Sequence, residues 1–221
     1  MRKSIVMLGA LLAFFLGAIT PGAARETGGY YPLQAGLTWQ YSMTSDKSGI
    51  KKVVIKNLPP QKIDDKTVTP REWNTNGRVV TYFVAEDDSG VYKVAERRPD
   101  NPELIKFTPP VYYIKYPISE ESTWDIATKM GDRDMQITQT IYSLSDEVKV
   151  PAGTFKECLK IKSVGTDISP DKDNSSLSVE AFEWFAPGVG IVKSMATIKK
   201  KEKDQTASTE VVSYQLESFK K

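Results

Sequence analysis

The sequence predicts an all-β fold: a curved antiparallel meander, half-barrel or barrel-like, built from two diverged repeats behind an N-terminal signal helix. Three observations predict it. Short runs rich in β-branched and aromatic residues recur along the chain with turn chemistry between them. No stretch after the N-terminal segment keeps a helical period with caps. Two stretches, YPLQAGLTW from Tyr31 to Trp39 and YPISEESTW from Tyr116 to Trp124, answer one another at a constant offset of 85.

At the N-terminus, Arg2 and Lys3 precede an apolar run from Ile5 to Ile19, followed by Thr20-Pro21-Gly22 and the small residues Ala23 and Ala24. This is the pattern of a secretory signal peptide, residues 1–24, with an uncleaved anchor as the alternative. The run has 15 residues, short of the roughly 20 that span a bilayer. No later apolar run is as long, so the domain 25–221 is expected to have no stable membrane span and to be periplasmic or secreted. Removing 1–24 takes away Arg2 and Lys3 and leaves 28 cations against 28 carboxylates. A net charge of zero removes the electrostatic footprint of a nucleic-acid partner.

Two absences narrow the chemistry. The chain has no histidine and one cysteine, Cys158. Without histidine, Ser-His-Asp, Cys-His and HExxH chemistry are excluded. A lone cysteine forms no internal disulfide, so the core alone must hold the fold.

Runs at 52–57 (KVVIKN), 78–84 (RVVTYFV), 135–144 (MQITQTIYSL), 155–164 (FKECLKIKSV), 177–185 (LSVEAFEWF), 191–198 (IVKSMATI) and 208–216 (STEVVSYQL) read as strands. Asn76-Gly77 suits a type I′ hairpin, and Asp87 to Gly90 a longer one. The best helical candidate, 120–129, is made ambiguous by Thr123-Trp124. Phe83-Val84-Ala85 with Gly90-Val91-Tyr92-Lys93 is answered by Trp184-Phe185-Ala186 with Gly190-Ile191-Val192-Lys193, again two hairpins. The repeats are therefore expected at about 30–103 and 115–221. Between them, 104–117 carries three prolines, which forbid a central strand and suggest a crossover. About ten to fourteen strands cannot stay flat and should curl.

Several of these motifs together resemble a family of exported bacterial β-proteins. They are Tyr31-Pro32-Leu33 with Gly36 and Thr38-Trp39, then Val150-Pro151-Ala152-Gly153-Thr154-Phe155 with Cys158-Leu159-Lys160-Ile161, and Trp184 through Lys193 (WFAPGVGIVK). Members of that family are mostly labelled hypothetical proteins or candidate lipoproteins. The resemblance implies secretion, an all-β fold and no assigned enzymatic activity. The chain departs from the lipoprotein members by lacking a cysteine at the cleavage point. A looser similarity, at the level of fold alone, is to the half-barrels that carry bacterial lipoproteins on an apolar concave face.

The remaining motifs read first as structure. The 150–155 and 186–190 segments are turns. Alternation places Cys158 on the face of Lys156, Lys160 and Lys162, which would favour a thiolate, although a passive, half-covered thiol is the simpler reading. Asp167, Asp171 and Asp173, with Asn174, form an oxygen-rich loop of the kind calcium takes, without EF-hand spacing. Glu180 and Glu183, flanked by Phe182 and Trp184, are the candidates for carboxylate-only glycoside hydrolysis, but their odd spacing divides them between the two faces of a strand. The run from Lys199 to Asp204 is a charged hairpin tip. Trp39 and Trp124, at equivalent repeat positions, read as core anchors and otherwise as ligand lining. Tyr112, Tyr113 and Tyr116 join them as candidates because they crowd one end of the sheet.

The expectation is a non-enzymatic envelope protein that binds an apolar, lipid-like ligand in its concavity or presents a surface to an envelope protein. No cofactor is expected. The alternatives are a carboxylate-dependent hydrolase, whose acids must converge in one cleft, and a purely structural protein.

Overall fold

A computed structural model describes residues 29–130, 133–169, 175–201 and 206–221. The segment 1–24, expected to be a signal peptide, lies outside the described residues. Among those described, no helix is long and apolar enough to cross a membrane.

Among the described residues thirteen strands follow one another: β1 (Thr38–Ser45), β2 (Gly49–Asn57), β3 (Gln61–Ile63), β4 (Lys66–Thr75), β5 (Arg78–Asp87), β6 (Gly90–Arg98), β7 (Asn101–Lys115), β8 (Thr123–Met130), β9 (Arg133–Val150), β10 (Gly153–Asp167), β11 (Ser176–Ala186), β12 (Gly190–Lys201) and β13 (Ser208–Lys220). Every run that the sequence marked as a strand lies within one of them. The short β3 pairs only with β4, and the other twelve form one antiparallel sheet in the order β7-β6-β5-β4-β2-β1-β13-β12-β11-β10-β9-β8. The sheet curls until its edges, β7 and β8, come side by side without a ladder between them. The result is a barrel-like sheet with one open seam.

One ambiguity is resolved and one expectation is corrected. Residues 120–129 form no helix: Thr123–Met130 is β8, whose exposure alternates residue by residue, with Trp124 buried between exposed Thr123 and Asp125. That period of two outweighs a weak helical pattern. The expected crossover at 104–117 is mostly strand β7, on the sheet edge. An edge strand needs ladder partners on one side only, and the ladder to β6 jumps from Val111 to Lys106, passing over Pro109 and Pro110.

The turns follow local chemistry. Asn76 and Gly77 both have positive φ, 51° and 89°, as a type I′ hairpin between β4 and β5 requires. Gly90 closes the β5–β6 hairpin opposite Asp87 with φ 137°. The hairpins β5–β6 and β11–β12 each carry a register shift at the matching place, between Phe83 and Val84 and between Trp184 and Phe185. The two YP-initiated stretches lead into β1 and β8. Six strands of each half lie in the same sequential order around the sheet, which supports, as a proposal, two diverged copies of one meander.

Alternation gives the curled sheet an inner and an outer face. On β1, Trp39 and Tyr41 point inward and pair with Ile55 and Val53 of β2, and all four are buried. One end of the interior is closed by the segment from Tyr31 to Leu37. Arg71 of β4, only 4% exposed, donates from Nε to Asn57 Oδ1 at 2.8 Å and from Nη2 to the Pro32 carbonyl at 2.6 Å. Its guanidinium lies 4.1 Å from the Tyr31 ring centroid and 4.7 Å from that of Trp39. Asn57 Nδ2 also donates to the carbonyls of Pro32 and Gln34, and Thr69 Oγ1 to that of Leu33. The strap is thus held by its own carbonyls, which otherwise would be buried without partners.

A Cβ added at Gly90 would lie 2.1 Å from the Ile114 carbonyl oxygen of β7, whereas one at Gly153, with nearly the same φ, meets nothing within 4 Å. Both substitutions by alanine carry backbone strain of about 1–3 kcal/mol. Gly90→Ala is expected to destabilise the protein more than Gly153→Ala by at least about 1 kcal/mol in chemical denaturation, because it also pushes β7 off the sheet.

Candidate functional site

Two of the spaces lined by the described residues lie within the curled sheet. The first is a cleft of about 740 Å³ beneath the seam. Its apolar floor comes from Val80 and Tyr82 of β5, Ile105 and Phe107 of β7, and Met135 of β9. Five cations border it, Arg78, Lys93, Arg98, Lys106 and Lys129, against two carboxylates, Glu96 and Asp134. Glu96 is 4% exposed and takes two of the cations, Lys93 at 3.0 Å and Arg98 at 2.6 Å. That cluster, in which Lys93 and Glu96 are covered and Arg98 lies at the exposed edge, keeps one positive charge in excess. Lys93 also lies over the rings of Phe107 and Tyr82, at 4.2 and 4.8 Å, and burial pulls its pKa down although Glu96 opposes this. Lys129 is paired with Asp134, and Lys106 and Arg78 with the exposed Asp64 and Asp100. Such exposed pairs are weak and yield readily to a competing anion.

The second space is smaller, about 170 Å³, and lies across the interior between β1, β2, β4 and β11 to β13. Tyr41, Ile55, Trp73, Ile191, Ser194 and Tyr214 line it together with Glu183. Strand alternation places Glu183 inside, opposite Ile161 on β10 and Ser194 on β12. Burial pushes its carboxyl up to about 7. No hydrogen bond or ion pair joins Glu183 to another described residue. The Trp73 indole N–H is likewise buried without a hydrogen-bond partner among the described residues. Trp73 meets Tyr82 edge to face at 5.8 Å, so this pair of rings divides the small cavity from the cleft.

The residues singled out from sequence fall elsewhere. Trp39 is 2% exposed, stacks on Phe219 at 5.4 Å and donates to the Val189 carbonyl at 2.6 Å. Trp124 is 5% exposed, in a core cluster with Tyr31, Ile141 and Phe185. Tyr113 stacks on Tyr31 at 5.0 Å, Tyr112 packs on Tyr92 at 5.2 Å, and Tyr116 donates to Glu86 at 2.6 Å. None of the five borders the cleft or the small cavity. The tyrosines do crowd one end of the sheet, but they fill it.

Of the calcium candidates, Asp171 and Asp173 lie outside the described residues. Asp167 is bonded to Arg133 and accepts from the Ser169 amide, and this pairing holds its carboxyl below the usual range. Cys158 is corrected: it is fully buried, not on the lysine face. A bulge at Glu157, φ 54°, shifts the register and sends both Cys158 and Leu159 inward. Burial, reinforced by Asp146, pushes its thiol up to about 11, so it is no ready thiolate.

Glu180 and Glu183 are separated by the sheet. Glu180 is outside, paired with Lys162 at 2.8 Å, and Phe182 and Trp184 share that outer face with Lys160 above their rings. Glu183 stands inside without a second acid in its cavity. Two carboxyls therefore do not converge there as a hydrolase needs. What sequence reasoning missed was Glu183 as a lone interior acid and the cationic cleft. The signal for the first was present: plain alternation puts Glu183 on the same strand face as the buried Val179, ahead of the register shift after Trp184.

Replacing Glu183 gives a sign-defined test. Its folded-state pKa lies above the 4.5 of the free carboxyl, so the contribution of Glu183 to folding stability is neutral below about pH 4.5, becomes unfavourable as the pH rises to about 7, and stays at that lower level above. The displacement corresponds to roughly 3 kcal/mol. Glu183→Gln should remove this fall, leaving a variant more stable than the parent at about pH 8 and little changed at about pH 4.5, measured by urea denaturation.

Comparison with known proteins comes from three sides. Residues 117–210 match the family model described as DUF3108-like. No curated protein matches the chain. Among solved structures, it is similar to a "putative lipoprotein" from Parabacteroides distasonis, at 14% identity and a TM-score of 0.46, covering 87% of this chain and 98% of the other. It is also similar to a "putative exported protein with YmcC-like fold" from Bacteroides fragilis, at 14% identity and a TM-score of 0.43, covering 87% and 99%.

Proposed function

We propose that this chain is an exported, non-enzymatic binding protein whose seam cleft takes an amphiphile with an acidic head group. The observation that carries the reading is the cleft: about 740 Å³ with an apolar floor and five bordering cations against two carboxylates. Its volume falls within the range of about 300–1,000 Å³ common to small-molecule sites. The apolar floor would take the chain of the ligand, and the excess charge of the Lys93, Glu96 and Arg98 cluster, with the rim cations, would take its head. Export is supported by the charged, apolar and small-residue pattern of 1–24. A partner reading draws on a different observation: β7 and β8 face one another with unpaired edges, a frame into which an extended segment of an envelope protein would add as a strand.

Dodecyl phosphate, dodecanol and dodecyltrimethylammonium, titrated into the purified 25–221 domain and followed by native mass spectrometry, separate these readings. The phosphate should bind at one equivalent and more tightly than the other two. Reversing the rim with Lys106→Glu and Lys129→Glu should weaken it by about tenfold or more. Equal binding of all three amphiphiles, or of none, would count against the proposal and leave strand addition as the reading to pursue.

A further inference from the structure

The small cavity holds a combination that the seam cleft does not explain. A carboxyl taken out of water with no counter-charge is costly, and folds ordinarily pair such a group or leave it out. Here Glu183 keeps its oxygens at a space of about 170 Å³, room for about six waters or one solute of comparable bulk. Three of the other lining side chains are aromatic, Tyr41, Trp73 and Tyr214, and Ser194 lies directly opposite Glu183 across the β11–β12 ladder. Tyr41 already spends its hydroxyl on the Ile191 carbonyl, at 2.7 Å. What it offers the cavity is therefore ring surface.

Aromatic rings around a carboxylate are the donor set for an organic cation. The negative ring faces attract an ammonium that has shed its water, and the carboxylate supplies the full counter-charge. An inorganic cation is a poorer occupant, since it asks for several oxygen ligands and the cavity offers mainly carbon. The Ser194 hydroxyl, which borders the cavity, suits an oxygen carried by the same solute. We propose that this cavity is a binding site for a small organic ammonium, quaternary or primary, that also bears a hydroxyl or ether oxygen, with Glu183 as its counter-ion and Tyr41, Trp73 and Tyr214 as its walls.

The site is independent of the cleft, from which Trp73 and Tyr82 separate it, so it does not rest on the amphiphile reading. The titratable groups that share this interior are Tyr41 on β1 and Tyr214 on β13, with Arg71 on β4 and Tyr31 of the strap further across. Burial raises the pKa of Tyr31, Tyr41 and Tyr214 above the ordinary tyrosine value, and the charge of Glu183 adds to each rise. These hydroxyls stay neutral through the working range, which leaves Glu183 as the group whose ionisation changes.

Choline chloride is the probe, with its uncharged isostere 3,3-dimethylbutan-1-ol as the control for shape, both measured by isothermal titration calorimetry and by thermal melting. At about pH 8, where Glu183 is ionised, choline should bind and raise the melting temperature, and the isostere should bind at least about tenfold more weakly. Choline affinity should fall by about tenfold or more at about pH 5 and in Glu183→Gln. Trp73→Leu should weaken it with the pH dependence retained. Glycerophosphocholine in place of choline tells a free solute from a head group: tight binding of choline alone identifies the former, and equal binding of both the latter. The proposal is overturned if choline neither binds nor stabilises at about pH 8, if the isostere binds as well, or if Glu183→Gln keeps the affinity of the parent.

Discussion

The guanidinium of Arg71 is the contact on which the closed end of the molecule depends. A buried cation with no carboxylate beside it is expensive unless its protons and its charge are both answered. Here the protons go to Asn57 Oδ1 and the Pro32 carbonyl, and the charge lies between the rings of Tyr31 and Trp39. One side chain of β4 therefore fixes the strap before β1, the end of β2 and the first large aromatic of the core. Lysine would not replace it, because a single ammonium cannot span the Asn57 and Pro32 acceptors while stacking on two rings.

That closure decides where open space is left. Aromatic rings fill the interior near Tyr31, Trp39 and Tyr113, and β1 completes the sheet by pairing with both β2 and β13. The second junction, between β7 and β8, has no such ladder. Proline at two adjacent positions of β7 and the jump in its register with β6 leave an edge that pairs poorly on its outer side. Charged side chains turn inward near this seam, at Glu96 and Lys93, with Arg98 reaching Glu96 from the exposed rim, where a fully closed core would require apolar ones. The barrel is packed with aromatic rings at one end and charged at the other.

Much of the fold was legible because period-two alternation and turn chemistry are local. Asn76-Gly77 specified its own hairpin, and each β-branched run became a strand. The candidate sites were not legible, for the opposite reason. Glu183 and Ser194 meet only through the β11–β12 ladder, and Tyr41 and Trp73 reach them from the other half of the chain. Bulges added a second obstacle: at Glu157 the strand slips by one residue, so Cys158 exchanges the lysine face for the core. The tryptophans of the repeat, Trp39 and Trp124, are buried, but an anchor and a ligand wall look alike in sequence. Trp73, which carries no repeat signal, is the one that borders a cavity.

Amide hydrogen exchange tests the open seam most directly. The β1–β13 junction should protect its amides on both strands, whereas β7 and β8 should show alternate fast amides along the sides that face one another, with the intervening ones protected by β6 and β9. Uniform protection along β7 and β8, at the level of β1 and β13, would mean that the seam is paired in solution and that the cleft beneath it is closed.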